Sequence, residues 1–289
     1  MKAIIFGANS QDGIYLSKLL QSFNIETLKV SRINSDILGN ISNYNFVEQL
    51  IKQTLPDFIF HFAANSTTKY EAIFENHETI STGTLNILDS VKKHSLQTKV
   101  FITGSAAQFI NKGQPIDENT EFDSWNAYSV ARIQSVYAAR FFRSLGLKVY
   151  VGYLFHHESP YRKENHVSKK ISEAVKRISI GSPEKIEIGD IKVKKEWNFA
   201  GDIVNAIWIL VNQNKVFEAV IGSGEIYSIE DWLHECFNLI GKNYKEHIIQ
   251  KADFVAEYKV LKSNPALIKS LGWKPLISFN QLAKIMIDC

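Results

Sequence analysis

Short apolar runs alternate along the chain with longer stretches whose apolar residues recur every three or four positions. The short runs predict strands and the periodic stretches predict amphipathic helices. The predicted strands cover residues 2–6, 27–31, 57–61, 98–103, 147–155 and 218–222. The predicted helices cover residues 12–23, 44–54, 78–95 and 126–145. This alternation predicts an α/β fold with a Rossmann-type doubly wound parallel sheet.

After the fifth predicted strand the pattern changes. Residues 156–170 are polar and contain three of the eight histidines, and the tail from residue 225 predicts short helices joined by loops. We expect a dinucleotide-binding domain over 1–155, to which 196–222 return, and a smaller mixed C-terminal substrate-binding lobe over 156–289. Ligands of such folds bind beyond the carboxyl ends of the strands, so we expect the site where the two lobes meet.

Composition narrows the functional classes. A chain of 289 residues, 45% of them hydrophobic, suits one large domain or two closely packed lobes. The net charge of +3, with both signs mixed along the chain, does not call for a nucleic-acid partner. The chain shows neither a signal-peptide pattern nor an apolar run of membrane-spanning length, so we expect a cytoplasmic protein with no membrane partner. Cys236 and Cys289 are expected to be free thiols, and no metal site is expected because no cysteine cluster accompanies the histidines.

The stretch GANSQDG, residues 7–13, lies between the first predicted strand and the first predicted helix. Gly7 permits a tight turn, and Gly13 permits close packing that leaves the helix N-terminus open to a pyrophosphate. Ser10 stands where the middle glycine of the usual pattern would be, and its hydroxyl is able to donate to a phosphate. Two glycines alone also fit a purely structural strand-to-helix turn.

The next strand ends in KVSRIN and lacks the acidic residue that NAD-preferring sites place against the ribose hydroxyls. Ser31 and Arg32 instead offer a hydroxyl and a guanidinium, which suit a 2′-phosphate. The sequence therefore predicts NADP(H) rather than NAD(H), with a solvated surface arginine as the alternative reading. Ala63 and Ala64, after the third strand, are small enough for a cofactor to lie against the backbone.

Three further stretches carry a family resemblance: ITGSAAQF (102–109), NAYSVARIQSVYAARFF (126–142) and LFHHESPYRKENHVSKKI (154–171). Together they resemble the extended short-chain dehydrogenase/reductases, the epimerase/dehydratase family that acts on nucleotide sugars. The third stretch is very similar to the corresponding segment of GDP-mannose 4,6-dehydratases. The resemblance spans essentially the whole chain.

The resemblance implies a catalytic trio. In this family a tyrosine exchanges a proton with the sugar oxygen, a serine or threonine hydrogen-bonds that oxygen, and a lysine one helical turn after the tyrosine stabilises its phenolate. The matching positions are Tyr128, Ser105 and Arg132. The i,i+4 spacing puts Tyr128 and Arg132 on one helix face. Arg132 departs from the family lysine because a guanidinium is a larger, planar fork.

Ligand contacts are implied in the same way, and homodimerisation is expected through the helices near 78–95 and 126–145. The positions matching family cofactor contacts are Gly7, Asn9, Ser10, Gln11, Asp12, Gly13, Arg32, Asn40, Ile41, Phe62, Ala63, Ala64, Tyr128, Arg132, Leu154 and His157. Those matching substrate contacts are Ser66, Ser105, Ala106, His156, Glu158, Asn165, Val167, Lys170 and Lys195, with Arg162 on a basic loop nearby. For His156 and His157 the alternative is that of ordinary loop histidines.

A second departure bears on the reaction. The mannose dehydratases carry a glutamate two residues after the serine or threonine, and the matching residue here is Ala107. A methyl group cannot transfer a proton, which argues against 4,6-dehydration. We therefore predict an NADP(H)-dependent oxidoreductase that reduces a 4-keto nucleotide sugar, with GDP as the expected nucleotide. Three alternatives stay open: a GDP-mannose 4,6-dehydratase whose carboxylate comes from elsewhere, an epimerase, and a catalytically impaired nucleotide-sugar-binding homologue.

Overall fold

The computed structural model describes residues 1–288, and Cys289, one of the two expected free thiols, lies outside the described residues. The other, Cys236, is a buried free thiol. No helix within 1–288 is long and apolar enough to cross a membrane.

The element bounds follow in chain order. The strands are β1 (Lys2–Phe6), β2 (Glu26–Ser31), β3 (Ile37–Leu38), β4 (Phe58–His61), β5 (Lys99–Ser105), β6 (Lys148–Leu154), β7 (His157–Glu158), β8 (Ile186–Ile188), β9 (Lys194–Glu196), β10 (Asn198–Phe199), β11 (Glu218–Ile221), β12 (Ile226–Ser228), β13 (Ile248–Gln250) and β14 (Val260–Leu261). The α-helices are α1 (Gln11–Ser22), α2 (Tyr44–Thr54), α3 (Ile73–Asn76), α4 (Gly83–His94), α5 (Ala127–Ser144), α6 (Val167–Ser179), α7 (Ala200–Val211), α8 (Ile229–Asn238), α9 (Ala266–Ser270) and α10 (Phe279–Asp288).

Seven parallel strands form the central sheet in the order β11-β6-β5-β4-β1-β2-β3. The chain starts in the middle of this sheet and winds outward in both directions, so β1 and β4 flank the point where the strand order reverses. Such a reversal opens a crevice at the carboxyl ends of the strands, because neighbouring connections leave on opposite faces. The predicted Rossmann-type α/β fold is confirmed.

Helices cover both faces of the sheet, which explains why most positions of its central strands β1, β4, β5 and β6 are apolar and buried. On one face, Val47 of α2, Ile87 of α4 and Val136 of α5 are fully buried. On the other face, Leu16 of α1 and Ile207 of α7 are fully buried. The last strand, β11, pairs with β6 and closes that edge of the sheet.

A separate apolar core lies under α6, α8 and α10. Its centre is a stacked pair of indoles, Trp197 and Trp232, whose ring centroids are 4.6 Å apart. Three small sheets surround it, built from β7 with β10, β8 with β13, and β9 with β12 and β14. The sequence pattern predicts none of these strands, before or after residue 225, because each is at most three residues long.

Two other differences from the pattern concern helices. The stretch expected as one helix over 78–95 contains a π-helical segment, His77–Thr82, before α4 begins. There Ser81 donates to the Ala131 carbonyl and Thr84 to the Ser135 hydroxyl, so both side chains are directed at α5. Helices α6 and α7 were absent from the predicted set.

Candidate active site

One large cavity of about 1740 Å³ opens at the carboxyl ends of the central strands. Pockets for one small ligand commonly measure about 300–1,000 Å³, so this space suits two ligands side by side. Most of the residues expected at the site line it: Gly7, Asn9, Ser10, Gln11, Asp12, Arg32, Asn40, Ile41, Phe62, Ala63, Ala64, Ser66, Ser105, Ala106, Tyr128, Arg132, Leu154, His156, His157 and Asn165.

The turn after β1 is built for close backbone approach. Gly7 has a φ of 80°, and a Cβ there would lie 2.5 Å from the backbone nitrogen of Ala63. No other residue type fits without moving the segment that follows β4. Ser10 is the N-cap of α1, and its Oγ accepts a hydrogen bond from the Gly13 amide at 3.0 Å. The serine thus stabilises the helix start, while its own proton is free to point into the cavity.

The end of β2 forms the neighbouring wall. Asn9 Nδ2 donates to Ser31 Oγ at 3.2 Å and to the Ile33 carbonyl at 2.6 Å, which fixes the strand end against the turn. The Arg32 guanidinium is largely exposed and contacts Glu75 Oε1 at 2.9 Å. Its position at the cavity wall, with no carboxylate on the β2 end itself, suits a phosphorylated ribose.

Asp12 and His157 join the two lobes at the bottom of this turn. The Asp12 carboxylate lies 2.9 Å from His157 Nε2, and His157 Nδ1 lies 2.7 Å from the Phe155 carbonyl. Burial lowers the pKa of His157, but the Asp12 charge and hydrogen bond outweigh it, and the net pKa is raised. Gln11 adds a second tie because its Nε2 donates to the His157 carbonyl at 3.0 Å.

These features fit a dinucleotide. The first turn of α1 presents its amides at the cavity, Ala63 and Ala64 leave backbone exposed to a flat ligand, and Arg32 offers a cation for a ribose phosphate. Gly13 does not line the cavity. A Cβ there would lie 2.7 Å from the Ala8 Cα, so Gly13 serves the packing of α1 on the turn.

The three residues expected to be catalytic, Ser105, Tyr128 and Arg132, line the cavity near the end of β5. Ser105 is the last residue of β5 and caps the short 3₁₀ helix Ala106–Gln108, accepting from the Ala107 amide at 3.2 Å. Tyr128 is the second residue of α5, whose start is fixed by a capping box between Asn126 and Ser129. The structure therefore brings Ser105 and Tyr128 to one wall of the cavity.

Arg132 lies one turn further along α5 and is buried. Its guanidinium carbon is 5.1 Å from the centroid of the Tyr128 ring, so the expected side-by-side arrangement is present. One of its Nη atoms donates to the Thr103 carbonyl, which holds the fork against β5. Beneath it, fully buried His61 has a pKa lowered to about 3 by burial and by the Arg132 charge, so this imidazole is neutral.

The loop before α5 closes the wall beside Ala107. The Trp125 indole Nε1 donates to the Ala107 carbonyl at 3.0 Å, and the Asp123 amide donates to the Gln108 carbonyl at 2.8 Å. Trp125 and Asp123 both line the cavity. Position 107, where the family resemblance implies a glutamate for a dehydratase, holds a methyl group, and Asp123 lies on the adjacent loop.

A half-buried polar cluster borders the opposite wall. His156 Nε2 lies 3.1 Å from the Tyr258 hydroxyl, and Arg162 Nη2 lies 3.1 Å from His166 Nδ1. Burial and the nearby cations hold the pKa of His156 well below its usual value and that of His166 at about 4. Both imidazoles are therefore neutral acceptors or donors at neutral pH. His156 is not an ordinary loop histidine, since it is enclosed and hydrogen-bonded.

Four of the expected substrate contacts lie outside the cavity lining. Glu158 is fully buried, accepts from Ser168 Oγ at 2.6 Å and lies 3.3 Å from Arg162 Nε. Lys195 is buried with its Nζ 4.5 Å from the Trp197 ring centroid and 3.8 Å from Glu158. Glu158 therefore contacts the cavity wall only through Arg162, and Lys195 lies behind the wall on β9.

The other two belong to α6. Lys170 points away from the site and donates to the Glu187 carbonyl at 2.7 Å. Val167, the first residue of α6, packs against the C-terminal core. Both residues belong to α6, which follows the cavity-lining loop, but neither of them lines the cavity.

Several residues that line the cavity were not among the residues expected at the site. Asp123 and Trp125 precede the tyrosine helix by a few residues, and that proximity was the signal available for them. Glu257, Tyr258 and Lys259 also line the cavity, although they are more than a hundred residues away from Tyr128 in the chain. They arrive there because β14 pairs with β9, a pairing with no local sequence signal.

Comparison with known proteins decides the family. A sequence profile of GDP-mannose 4,6 dehydratase matches residues 4–286, nearly the entire chain. GDP-mannose 4,6 dehydratase 1 of Arabidopsis thaliana is 30% identical over 319 aligned positions, covering 99% of this chain and 88% of the relative. The chain belongs to the GDP-mannose 4,6-dehydratase family.

Solved structures show the same fold as this member of the GDP-mannose 4,6-dehydratase family. RMD of Pseudomonas aeruginosa, complexed with NADPH, aligns with a TM-score of 0.86 at 20% identity, covering 99% of this chain and 97% of that one. The dTDP-glucose 4,6-dehydratase of Bacillus anthracis, in complex with NAD, aligns with a TM-score of 0.87 at 18% identity, covering 100% and 96%. The expected extended short-chain dehydrogenase/reductase relationship is confirmed, and the chain is a nucleotide-sugar enzyme of the dehydratase/epimerase type.

Proposed function

We propose that this protein is an NADP(H)-dependent oxidoreductase that reduces the 4-keto group of a GDP-linked sugar. When bound, NADPH supplies the hydride for the carbonyl carbon. Tyr128 donates its hydroxyl proton to the carbonyl oxygen as that oxygen gains negative charge, and Ser105 donates a hydrogen bond to the same atom. The carbonyl thus gains one hydride and one proton and becomes a carbinol.

Arg132 supports this proton transfer. Its guanidinium carbon lies 5.1 Å from the Tyr128 ring centroid, and its permanent positive charge favours the phenolate that forms when the proton leaves. The hydrogen bond to the Thr103 carbonyl holds the Arg132 guanidinium in this position. An arginine in place of the family lysine therefore still provides a positive charge beside the Tyr128 ring.

The observation that carries the proposal is the alanine at position 107. Elimination of water across C5 and C6 needs a group that takes the C5 proton and an acid that protonates the leaving hydroxyl. Ala107 offers neither, whereas hydride transfer at C4 needs only Ser105 and Tyr128. Ser105, Tyr128 and Arg132 line the cavity, which supports a reduction, and alanine at position 107 speaks against a dehydration.

The choice of cofactor and nucleotide rests on further observations. Arg32 at the cavity wall supports NADP(H), as does the absence of a carboxylate on the β2 end. Membership of the GDP-mannose 4,6-dehydratase family supports GDP as the nucleotide. Arg162 and Lys163 line the far wall, where they offer positive charge to a diphosphate.

A homodimer is part of the proposal. Val130, Tyr137 and Phe141 form an exposed apolar stripe along α5, and Leu85 of α4 is half exposed. Helices α4 and α5 pack side by side, so the stripe belongs to a two-helix face that a second copy would cover. Light scattering of Phe141→Asp against the unmodified protein tests this part: a dimer reduced to monomer supports it, and a monomeric unmodified protein contradicts it.

Dehydration of GDP-mannose is the second candidate, because the Arabidopsis relative with 30% identity is named for that reaction. This function would need a carboxylate from outside the 3₁₀ helix Ala106–Gln108. The absence of a carboxylate at Ala107 is the reason that reduction is preferred.

The experiment that tests the proposal uses GDP-4-keto-6-deoxymannose with NADPH. We expect the ketone to be consumed together with NADPH in equal amounts and the product to gain two hydrogens by mass spectrometry. The Ser105→Ala variant is expected to lose turnover by about tenfold or more, since one hydrogen bond to the reacting oxygen is removed. Unchanged NADPH absorbance in the presence of the ketone would contradict the proposal.

A further inference from the structure

Asp123 occupies the loop between the short 3₁₀ helix and α5. An antiparallel bridge between Phe109 and Phe122 and the hydrogen bond from the Asp123 amide to the Gln108 carbonyl, 2.8 Å long, fix this loop beside Ala107. The Gln108 side chain in turn accepts from the Ser105 amide at 2.8 Å. The backbone of Asp123 is therefore tied to the same short segment that carries Ser105.

Three carboxylates line the cavity within residues 1–288, and two of them are engaged. Asp12 is paired with His157 at the cofactor end, and Glu257 accepts from Thr68 Oγ1 at 2.6 Å. Asp123 is partly buried, and its carboxylate makes no hydrogen bond or ion pair with the described part of the chain. A carboxylate at a cavity wall with no partner of its own is available to a ligand.

We propose that Asp123 is a catalytic acid/base that removes the proton from a carbon flanking the C4 carbonyl of the bound sugar. This inference rests on the proposed binding of a 4-keto sugar at Ser105 and Tyr128. Such a proton is acidic because the electrons of the broken C–H bond move into the carbonyl and form an enolate. Ser105 and Tyr128 are placed to stabilise the enolate oxygen by hydrogen bonds.

The step balances without an oxidant or reductant. The Asp123 carboxylate takes the proton, the C–H pair becomes the C=C bond of the enolate, and the carbonyl oxygen carries the negative charge. The protonated Asp123 exchanges its proton with water and returns one to the same carbon, which restores the ketone. The activity is thus proton exchange at carbon. The 4-keto-6-deoxy sugar has no C6 hydroxyl, so no water is lost in this step.

The test is deuterium incorporation into GDP-4-keto-6-deoxymannose in D₂O, with NADP⁺ present so that no hydride is available. We expect the unmodified protein to add deuterium at C3 or C5 faster than buffer alone, as read by mass spectrometry and proton NMR. Asp123→Asn is expected to slow this exchange by about 10²-fold, the usual effect of a positioned acid/base. Asp123→Glu is expected to restore part of it. Glu121→Gln, an exposed position on the same loop that does not line the cavity, is the matched control and should exchange normally.

The outcomes separate this inference from the proposed function. NADPH consumption without exchange by the unmodified protein would overturn the role of Asp123 and leave the reductase standing. Exchange without NADPH consumption would overturn the reductase and support Asp123, and the absence of both would overturn the two proposals together. Exchange that is as fast in Asp123→Asn as in the unmodified protein would assign the base to another residue. Calorimetric NADP⁺ binding by each variant shows that the fold is kept.

Discussion

The end of the cavity near Asn9, Asp12 and Arg32, which we call the cofactor end, differs in its hydrogen bonding from the end near Ser105 and Tyr128. At the cofactor end the polar side chains hold one another: Asp12 pairs with His157, Asn9 binds Ser31, and Arg32 contacts Glu75. At the other end, which we propose to be the catalytic end, the Tyr128 hydroxyl and the Asp123 carboxylate have no hydrogen-bond partner within residues 1–288.

The difference indicates that one end of the cavity is suited to binding a cofactor and the other end to the chemical reaction. A network that is already formed needs little reordering when a cofactor enters, so the cofactor end is suited to tight binding. Polar groups without partners are available to the reacting atoms of a substrate. The departures from the dehydratase pattern, Ala107 and Arg132, both fall at the catalytic end. The reaction is therefore the property in which we expect this chain to differ from its relatives.

Removal of the Tyr128 hydroxyl should have the largest effect. We expect Tyr128→Phe to lower turnover at least ~10²-fold, since a positioned acid/base commonly contributes that much, with cofactor binding intact. Steady-state kinetics measures the turnover, and calorimetry measures the affinity for NADPH. Tyr70→Phe, at an exposed tyrosine that does not line the cavity, is the control. Undiminished turnover of Tyr128→Phe would mean that the catalytic end lies elsewhere.

Arg32 tests the cofactor end. We expect Arg32→Ala to lower the ratio of NADPH affinity to NADH affinity about tenfold, because a charge-assisted hydrogen bond to the 2′-phosphate is lost. Isothermal calorimetry with each cofactor measures the ratio. Lys29→Ala, which removes a cation from the same strand outside the cavity lining, should leave it unchanged. Equal affinities of the unmodified protein for NADPH and NADH would contradict the proposed preference for NADP(H).

The Asp12–His157 pair predicts a smaller, pH-dependent effect on stability. The pKa of folded His157 is raised, so the stabilisation is complete below the unfolded value of about 6.5 and is lost as the pH rises through the folded pKa. Asp12→Asn should therefore lower the free energy of unfolding by about 1 kcal/mol at pH 6 and by less at pH 9. Urea denaturation at the two pH values measures it, with exposed Asp36→Asn as the control. A loss that grows with pH would contradict the pairing.

The sequence alone predicts six of the seven strands of the central sheet, because these six are apolar runs separated by periodic or polar stretches, whereas the two-residue β3 gives no such signal. The i,i+4 spacing of Tyr128 and Arg132 was also readable, since both lie on one regular helix whose caps are local. The glycine at position 7 was readable for the same reason: the left-handed backbone there is a local requirement.

What escaped prediction depends on tertiary packing. Lys170 and Lys195 match family positions, yet one points to solvent near Glu187 and the other is enclosed by Trp197 and Glu158. Tyr258 reaches the cavity only through the pairing of β14 with β9. Asp123 has no motif of its own, and its place beside Ala107 depends on the bridge between Phe109 and Phe122.

The central claim is that the catalytic end carries out redox at C4 and not elimination. Mass spectrometry of the unmodified protein with GDP-mannose and NADP⁺ tests it most directly. Without an acid at position 107 to protonate the departing C6 hydroxyl, we predict that GDP-mannose keeps all of its oxygen atoms and that no 4-keto-6-deoxy product appears. A cofactor-dependent loss of one water from GDP-mannose would contradict the account and make the protein a dehydratase like its named relatives.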